Sequence, residues 1–413
     1  MSSALLTCRN CSAALRNMVL DLGVMPLANS YIKTENSHKF ETAYPLQVYI
    51  CDRCWLMQTL NQAIITPEYI FSNYAYYSSF SKTWRSHCAA YAQKIITRLA
   101  LNNKSQVVEV GSNDGALLES FKEASIPVIG VDPAENIVTY ANQKGLLSIA
   151  LFFGEKTAVK LKDQGFAADL IVANNVLAHV PDLHDFIAGF ATLLKPTGTI
   201  TFEFPSLQEM LRHTQFDTVY HEHFSYLSLT ALIPLFERHN LRVVDVEYLP
   251  THGGSLRIFV MHADAKVPMS IALQKALRQE EIFGLKNIET YNRFSQQVNT
   301  VKAQLLEALR QLRSEGKRIA AYGAPAKGNT LLNACGIGTD LVAYTVDRNP
   351  EKQGCLLPGS HLPVYTPEFL FQDKPDVVLI LPWNIADEII QQMAEVRQWG
   401  GKFLICIPTV RFL

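Results

Sequence analysis

The sequence has no apolar run approaching the roughly 20 residues that a membrane-spanning helix needs, and no excess of either charge. Lys and Arg number 37 against 38 Asp and Glu, a net charge of -1, so no global field exists to hold a polyanion or an anionic bilayer. Nucleic acid and membrane partners are therefore not expected. The opening MSSALLTCRNC lacks a basic stretch followed by an apolar one, and the expected location is the cytoplasm. Low-complexity tracts and repeats of 20 to 50 residues are also missing, which sets solenoids and propellers aside. What remains is a globular composition, 48% hydrophobic and 18% charged. The 413 residues have room for two or three domains at roughly 150 residues each.

The eight cysteines are unevenly spread. Cys8, Cys11, Cys51 and Cys54 form two C-x-x-C pairs near the start, whereas Cys88, Cys335, Cys355 and Cys406 are scattered. A reducing compartment disfavours disulfides, and a C-x-x-C knuckle aims two thiolates at one ion, so four thiolates predict a closed, structural zinc site. The alternative is four reduced core cysteines. Residues 1–65, with strand-like stretches such as PLQVYIC, read as a small zinc-binding domain. An aromatic run from Tyr69 to Tyr77, which includes Tyr74 and Tyr76, then leads into SKTWRSHCAAYAQKIITRLA, whose apolar spacing suits a helix.

From Gln106 the pattern alternates between strand and helix: QVVEV, ALLESFKEA, VIGVD, ADLIVANN, FIAGFATLL, GTITFEF. Such alternation predicts an α/β fold, a parallel sheet covered by helices on both faces. LRVVDVEYL and SLRIFVMHA read as an antiparallel hairpin appended to that sheet. The core is expected over residues 66–265. A helical bridge and a second Rossmann-like series, RIAAYG, LVAYTVD, DVVLILP and KFLICIP, fill 266–413.

Three ligand-facing constellations follow. The first is Glu109, Gly111, Ser112, Asn113 and Gly115, an E-x-G-x-x-x-G turn between strand and helix. Its glycines permit a tight bend and close approach of a ligand. Asp132, followed by Pro133, ends the next strand where a ribose diol would lie, and Asn174 and Asn175 end a third. The spacing departs from the dinucleotide fingerprint G-x-G-x-x-G and so favours S-adenosylmethionine over NAD. The second is Tyr220-His221-Glu222-His223 with His179 upstream. Histidine titrates near working pH and suits acid/base chemistry, although two histidines and a glutamate are also metal-ligand types. In an extended chain Tyr220 and Glu222 would share a face, and in a helix the four would splay, so the sequence leaves their grouping open. The third is Gly323, Ala326, Lys327, Gly328 and Asn329, a strand-to-helix turn with a lysine, suited to a phosphate-bearing substrate. A packing turn with a solvated lysine is the alternative.

Taken together, CRNC and CDRC with LGVMPLAN between them, YAYYSSFS, VVEVGSNDGALL, NNVLAHV, FDTVYHEHFSYLSL, GGSLRIFV and AYGAPAKGNTLLN resemble the S-adenosylmethionine-dependent sugar C-methyltransferases. The match runs over nearly the whole chain. The resemblance implies a zinc domain, a class I methyltransferase core and a C-terminal Rossmann-like domain that helps to hold a nucleotide-linked keto-deoxysugar. It places the catalytic groups on Tyr220, Glu222 and His223, with His179 and Tyr76 nearby and His223 as leading base, and places substrate contacts on Tyr74 and the Lys327 turn. The rival readings are an O- or N-methyltransferase, a non-catalytic zinc-containing binding protein with a degenerate cofactor fold, and an NAD-dependent oxidoreductase.

Overall fold

The computed structural model describes residues 6–36, 38, 40–60 and 77–413. Its central element is a seven-stranded sheet. Val107–Val110 pairs in parallel with both Val128–Asp132 and Ala168–Asn174, and Ala168–Asn174 pairs in parallel with Leu194–Pro205. The hairpin Leu241–Leu249 and Ser255–His262 then adds two antiparallel strands at one edge. All four residues of Val107–Val110 are buried, as a parallel strand covered by helices on both faces requires. The expected helix runs from Lys82 to Leu99, and the Ser81 side chain caps it by accepting from the Trp84 N–H.

Helices Ile271–Phe283 and Ile288–Ser314 form the bridge. A six-stranded sheet follows, built around Ile319–Tyr322 and Val377–Ile380 and parallel except for Arg411–Phe412 at one edge.

The N-terminal segment does not fold as a closed unit. Its strands Asn17–Met25, Tyr44–Ile50 and Met57–Thr59 make a sheet whose fourth strand, Ser225–Tyr226, comes from the central segment. Ile32–Lys33 pairs with Cys355–Leu356 of the C-terminal segment. The first 60 residues are thus stitched to both other parts by main-chain hydrogen bonds. The seam converges on one cavity.

Candidate active site

The cavity has a volume of ≈860 Å³, near the top of the roughly 300–1,000 Å³ typical of ligand sites. It opens at the carboxyl ends of the central strands, where an open α/β sheet binds ligands. Residues from all three parts of the chain line it, among them Asn29, Gly111, His223 and Lys327.

At one end lies the Gly111 turn. Gly111 and Gly115 have φ of +70° and +81°, and a Cβ on either would lie 2.2 Å from Val176 or 2.4 Å from Leu146, so no side chain fits at these points. The Asp132 carboxylate accepts from the Asn113 N–H (2.9 Å) and the Ala134 N–H (3.0 Å), which fixes it at the cavity wall with lone pairs to spare. Burial pushes its pKa up. Glu109 is 6% exposed and lines the cavity. Burial, reinforced by the charges of Asp132 and Asp114, holds its carboxyl well above the usual range, and its Oε2 has no protein partner. Two acceptors aimed at one wall, beside a glycine cradle, fit the ribose and amino acid ends of S-adenosylmethionine.

Of the other predicted cofactor residues, Pro133, Asn174 and Asn175 line the cavity, and Asn174 Oδ1 is unpartnered. Ser112 lines it too but crowds Gly130, where a Cβ would lie 2.4 Å from the serine Oγ. Asn113 Oδ1 accepts from the Ser78 N–H (2.9 Å), and the Asp114 carboxylate accepts from the Ser78 hydroxyl (2.7 Å). A strap at Ser78–Phe80 is thereby pinned to the turn.

In the middle lies the histidine cluster. Residues 219–224 are irregular rather than strand or helix, and the loop is clamped from two sides. The Thr59 hydroxyl donates to the His223 carbonyl (3.1 Å), and the Phe224 N–H donates to the Ala178 carbonyl (2.8 Å). Tyr220, Glu222, His223 and His179 all line the cavity. The Tyr220 and His223 ring centroids are 3.9 Å apart, and those of His179 and His223 are 4.7 Å apart. His221 turns away, into a contact with the Tyr44 carbonyl (3.2 Å).

His223 Nδ1 lies 2.8 Å from the Thr218 carbonyl. A carbonyl only accepts, so Nδ1 carries the proton and the neutral ring keeps its lone pair on Nε2. Enclosure by protein, with the neighbouring His179, His252 and Lys327, holds the His223 pKa well below the usual value. Burial brings His179 and His252 down to about 4 each. Glu222 moves the opposite way, to about 7, through burial, and both its oxygens accept from the Asn29 amide (2.9 and 2.8 Å). The centre therefore holds imidazoles that are neutral at working pH.

Tyr74 and Tyr76 lie outside the described residues. Of the third constellation, Ala326 and Lys327 line the cavity. Gly323 and Gly328 pack against Pro382 and Leu381, and the Asn329 amide donates to the Ala28 carbonyl (2.6 Å), tying the turn to the N-terminal segment. Sequence reasoning did not single out Asn29, Trp84, His252 or Lys352, which also line the cavity.

The four predicted metal ligands converge at a second place. The Sγ atoms of Cys8, Cys11, Cys51 and Cys54 all lie within 4.8 Å of one another, with Cys8–Cys54 and Cys11–Cys51 at 3.5 Å. A tetrahedron of zinc–sulfur bonds of about 2.3 Å has edges of about 3.8 Å, so the set fits zinc. Gln58 Nε2 donates to Cys8 Sγ (3.1 Å) as an outer partner. The knuckle also docks on the core, since the Asn10 carbonyl accepts from His184 Nε2 (2.7 Å) and Arg238 (2.8 Å).

Three family models match in series: "Putative zinc binding domain" over residues 8–71, "Methyltransferase domain" over 84–246, and "C-methyltransferase C-terminal domain" over 250–408. The chain is 39% identical over 406 residues to the C-methyltransferase NovU of Streptomyces niveus, covering 98% of this chain and 96% of that one. The chain belongs to the C-methyltransferase family. Similarity to the ubiquinone biosynthesis O-methyltransferase of Bartonella bacilliformis, 33% identical, is confined to 97 residues, 22% of this chain and 38% of that protein. Among solved structures, magnesium protoporphyrin IX methyltransferase from Synechocystis PCC 6803 with bound SAM aligns with a TM-score of 0.32 and 14% identity, over 42% of this chain and 79% of that one. In this C-methyltransferase the Gly111 turn, Glu109 and Asp132 fit S-adenosylmethionine, and the four converging cysteines fit the zinc of the domain matched over residues 8–71. Among the described residues no helix is long and apolar enough to cross a membrane.

Proposed function

We propose that this C-methyltransferase acts on a nucleotide-linked 4-keto-deoxysugar, methylating the carbon beside the ketone, C-3. The observation that carries the reading is His223: a neutral imidazole, oriented by the Thr218 carbonyl, in the cavity that also holds the Gly111 turn. A carbon nucleophile is most readily made by removing the acidic proton next to a ketone. His223 Nε2 is the base for that proton, and Tyr220 and His179, whose rings pack on His223, border the oxygen that becomes negative. Bound S-adenosylmethionine supplies the electrophilic methyl group.

Glu222, neutral up to about pH 7, and the Asn29 amide complete a wall that excludes water from the carbanion. The rest of the substrate extends towards Tyr31, Asn349 and Lys352, which also line the cavity. Lys352 offers a cation to a diphosphate there.

The test is incubation with TDP-, GDP- and CDP-linked 4-keto-deoxysugars and labelled methyl donor, with NMR of the product. Without methyl donor, one of these sugars in D2O is expected to exchange its C-3 proton. An O- or N-methyltransferase has no reason to exchange a carbon-bound proton, so methylation without exchange refutes the reading.

A further inference from the structure

Lys327 comes from the C-terminal segment and lines the cavity. Its Nζ donates to Asn384 Oδ1 (2.7 Å) and lies 4.8 Å from the centre of the Trp383 ring. The Trp383 indole N–H donates to Asp217 Oδ2 (2.7 Å), across the boundary between the C-terminal and methyltransferase segments. Asp217 is completely buried, and its second oxygen is unpartnered. The Trp383 ring lies flush on the hairpin turn, where a Cβ on Gly253 would sit 2.6 Å from it. Asp217 immediately precedes Thr218, the residue that orients His223. A carboxylate, an indole and an ammonium are thus linked from the histidine loop of one segment to the cavity wall of the other.

We propose that Lys327 is the cation that stabilises the enolate, and that Trp383 and Asp217 are the positioning residues that hold it beside the catalytic histidines. A neutral ketone gives its α-proton to His223 Nε2, and the pair from the broken C–H bond passes into the enolate, whose oxygen gains the negative charge. That pair then forms the new carbon–carbon bond as the methyl–sulfur bond breaks and leaves its electrons on sulfur. The ketone is restored, and the proton leaves His223 for solvent. Charge exists on the sugar only between the two steps, where a fixed ammonium in a dry site has its largest effect. The same charge explains part of the histidines' reluctance to protonate, because Lys327 acts on both His223 and His252. Asp217 favours the Lys327 ammonium against burial, and Lys327 in turn restrains the upward push of burial on Asp217, which stands at about 6.

The inference rests on the proposed keto-sugar reaction, and its test reads the proton step alone. TDP-4-keto-6-deoxyglucose is incubated in D2O with zinc-loaded protein and S-adenosylhomocysteine, and C-3 exchange is followed against pH. Lys327→Met is expected to lower the maximal exchange rate on the order of 10²–10³, as loss of an oxyanion-hole donor does, with KM near wild type. The groups around His223 are His179, His252, Tyr220, Tyr226, Glu222 and Lys327. Only Lys327 changes, so the acid limb should move to higher pH, because a histidine freed of a neighbouring cation protonates more readily. Asp217→Asn keeps an acceptor for Trp383 but deletes the charge that favours the Lys327 ammonium, and should lower the exchange rate and move the limb in the same direction as Lys327→Met.

Shifts in the same direction, with unchanged zinc content and S-adenosylhomocysteine affinity, support the assignment. A rise in KM alone in Lys327→Met makes the lysine a substrate-binding group only and overturns the proposal. An unmoved limb in Asp217→Asn overturns it even if the lysine variant does not fold. Wild-type protein that exchanges no proton from this or the GDP- and CDP-linked keto-sugars removes the underlying reaction instead, so the two failures are distinct.

Discussion

Replacing His223 by Asn separates chemistry from architecture. The asparagine amide nitrogen can occupy the place of Nδ1 and donate to the Thr218 carbonyl, as the histidine does at 2.8 Å, but nothing replaces the lone pair on Nε2. Alanine would confuse the result, because an orphaned buried carbonyl costs about 1–3 kcal/mol on its own account. With that bond kept, the variant should retain its zinc, its thermal midpoint within a few degrees, and its affinity for S-adenosylhomocysteine, since Gly111 and Asp132 are untouched. Turnover should fall by roughly 10²–10⁴, the usual contribution of a general base, which corresponds to about 3–5 kcal/mol of transition-state free energy. The assay is transfer of labelled methyl to a nucleotide-linked 4-keto-deoxysugar, together with solvent deuterium exchange. If His223→Asn washes the C-3 proton out at the wild-type rate, His223 is not the base and the mechanism fails.

Three further outcomes follow from the geometry. Glu222 has a folded pKa of about 7 through burial, above its unfolded value. The native state therefore keeps a proton that the unfolded chain releases, and stability is full below about pH 4.5 and declines as pH rises through 7. Wild type should lose on the order of 3 kcal/mol across that window relative to Glu222→Gln, read from paired urea midpoints; parallel pH curves would show that Glu222 titrates normally. Asp132→Ala removes the acceptor of two main-chain N–H groups together with the charged partner of a ribose, and should weaken S-adenosylhomocysteine by about 10- to 100-fold in calorimetry. Unchanged affinity would move the ribose elsewhere. Purified wild type should carry about one zinc per chain, and Cys51→Ser with Cys54→Ser should lose the metal and the soluble protein; a metal-free wild type refutes the site.

Much of the cofactor crevice was legible because its constraints are local. The positive φ of Gly111 and Gly115, the acid ending its strand and the paired C-x-x-C knuckles are all short-range demands that spacing records. The appended hairpin was legible for the same reason, two alternating strands around a turn. The histidine cluster was visible as a composition but not as a geometry. Its loop has neither helical nor extended periodicity, and what clamps its main chain is Thr59 on one side and Ala178 on the other. Asn29 closes the LGVMPLAN motif, but nothing in that motif assigns it a role, because its contact is with Glu222, 193 positions away. His252 and Lys352 reach the cavity from a turn and a loop that carry no motif. Strands of the first segment pair with strands of the other two, contacts that no local pattern announces.

That shared pairing bears on how the protein is made. Met57 and Gln58 must wait for Tyr226 and Ser225 before their sheet is complete, and Ile32 waits for Leu356. A ribosome therefore releases the first part of the chain long before it can finish folding. Grafting this N-terminal unit alone onto another enzyme would carry that raw edge with it.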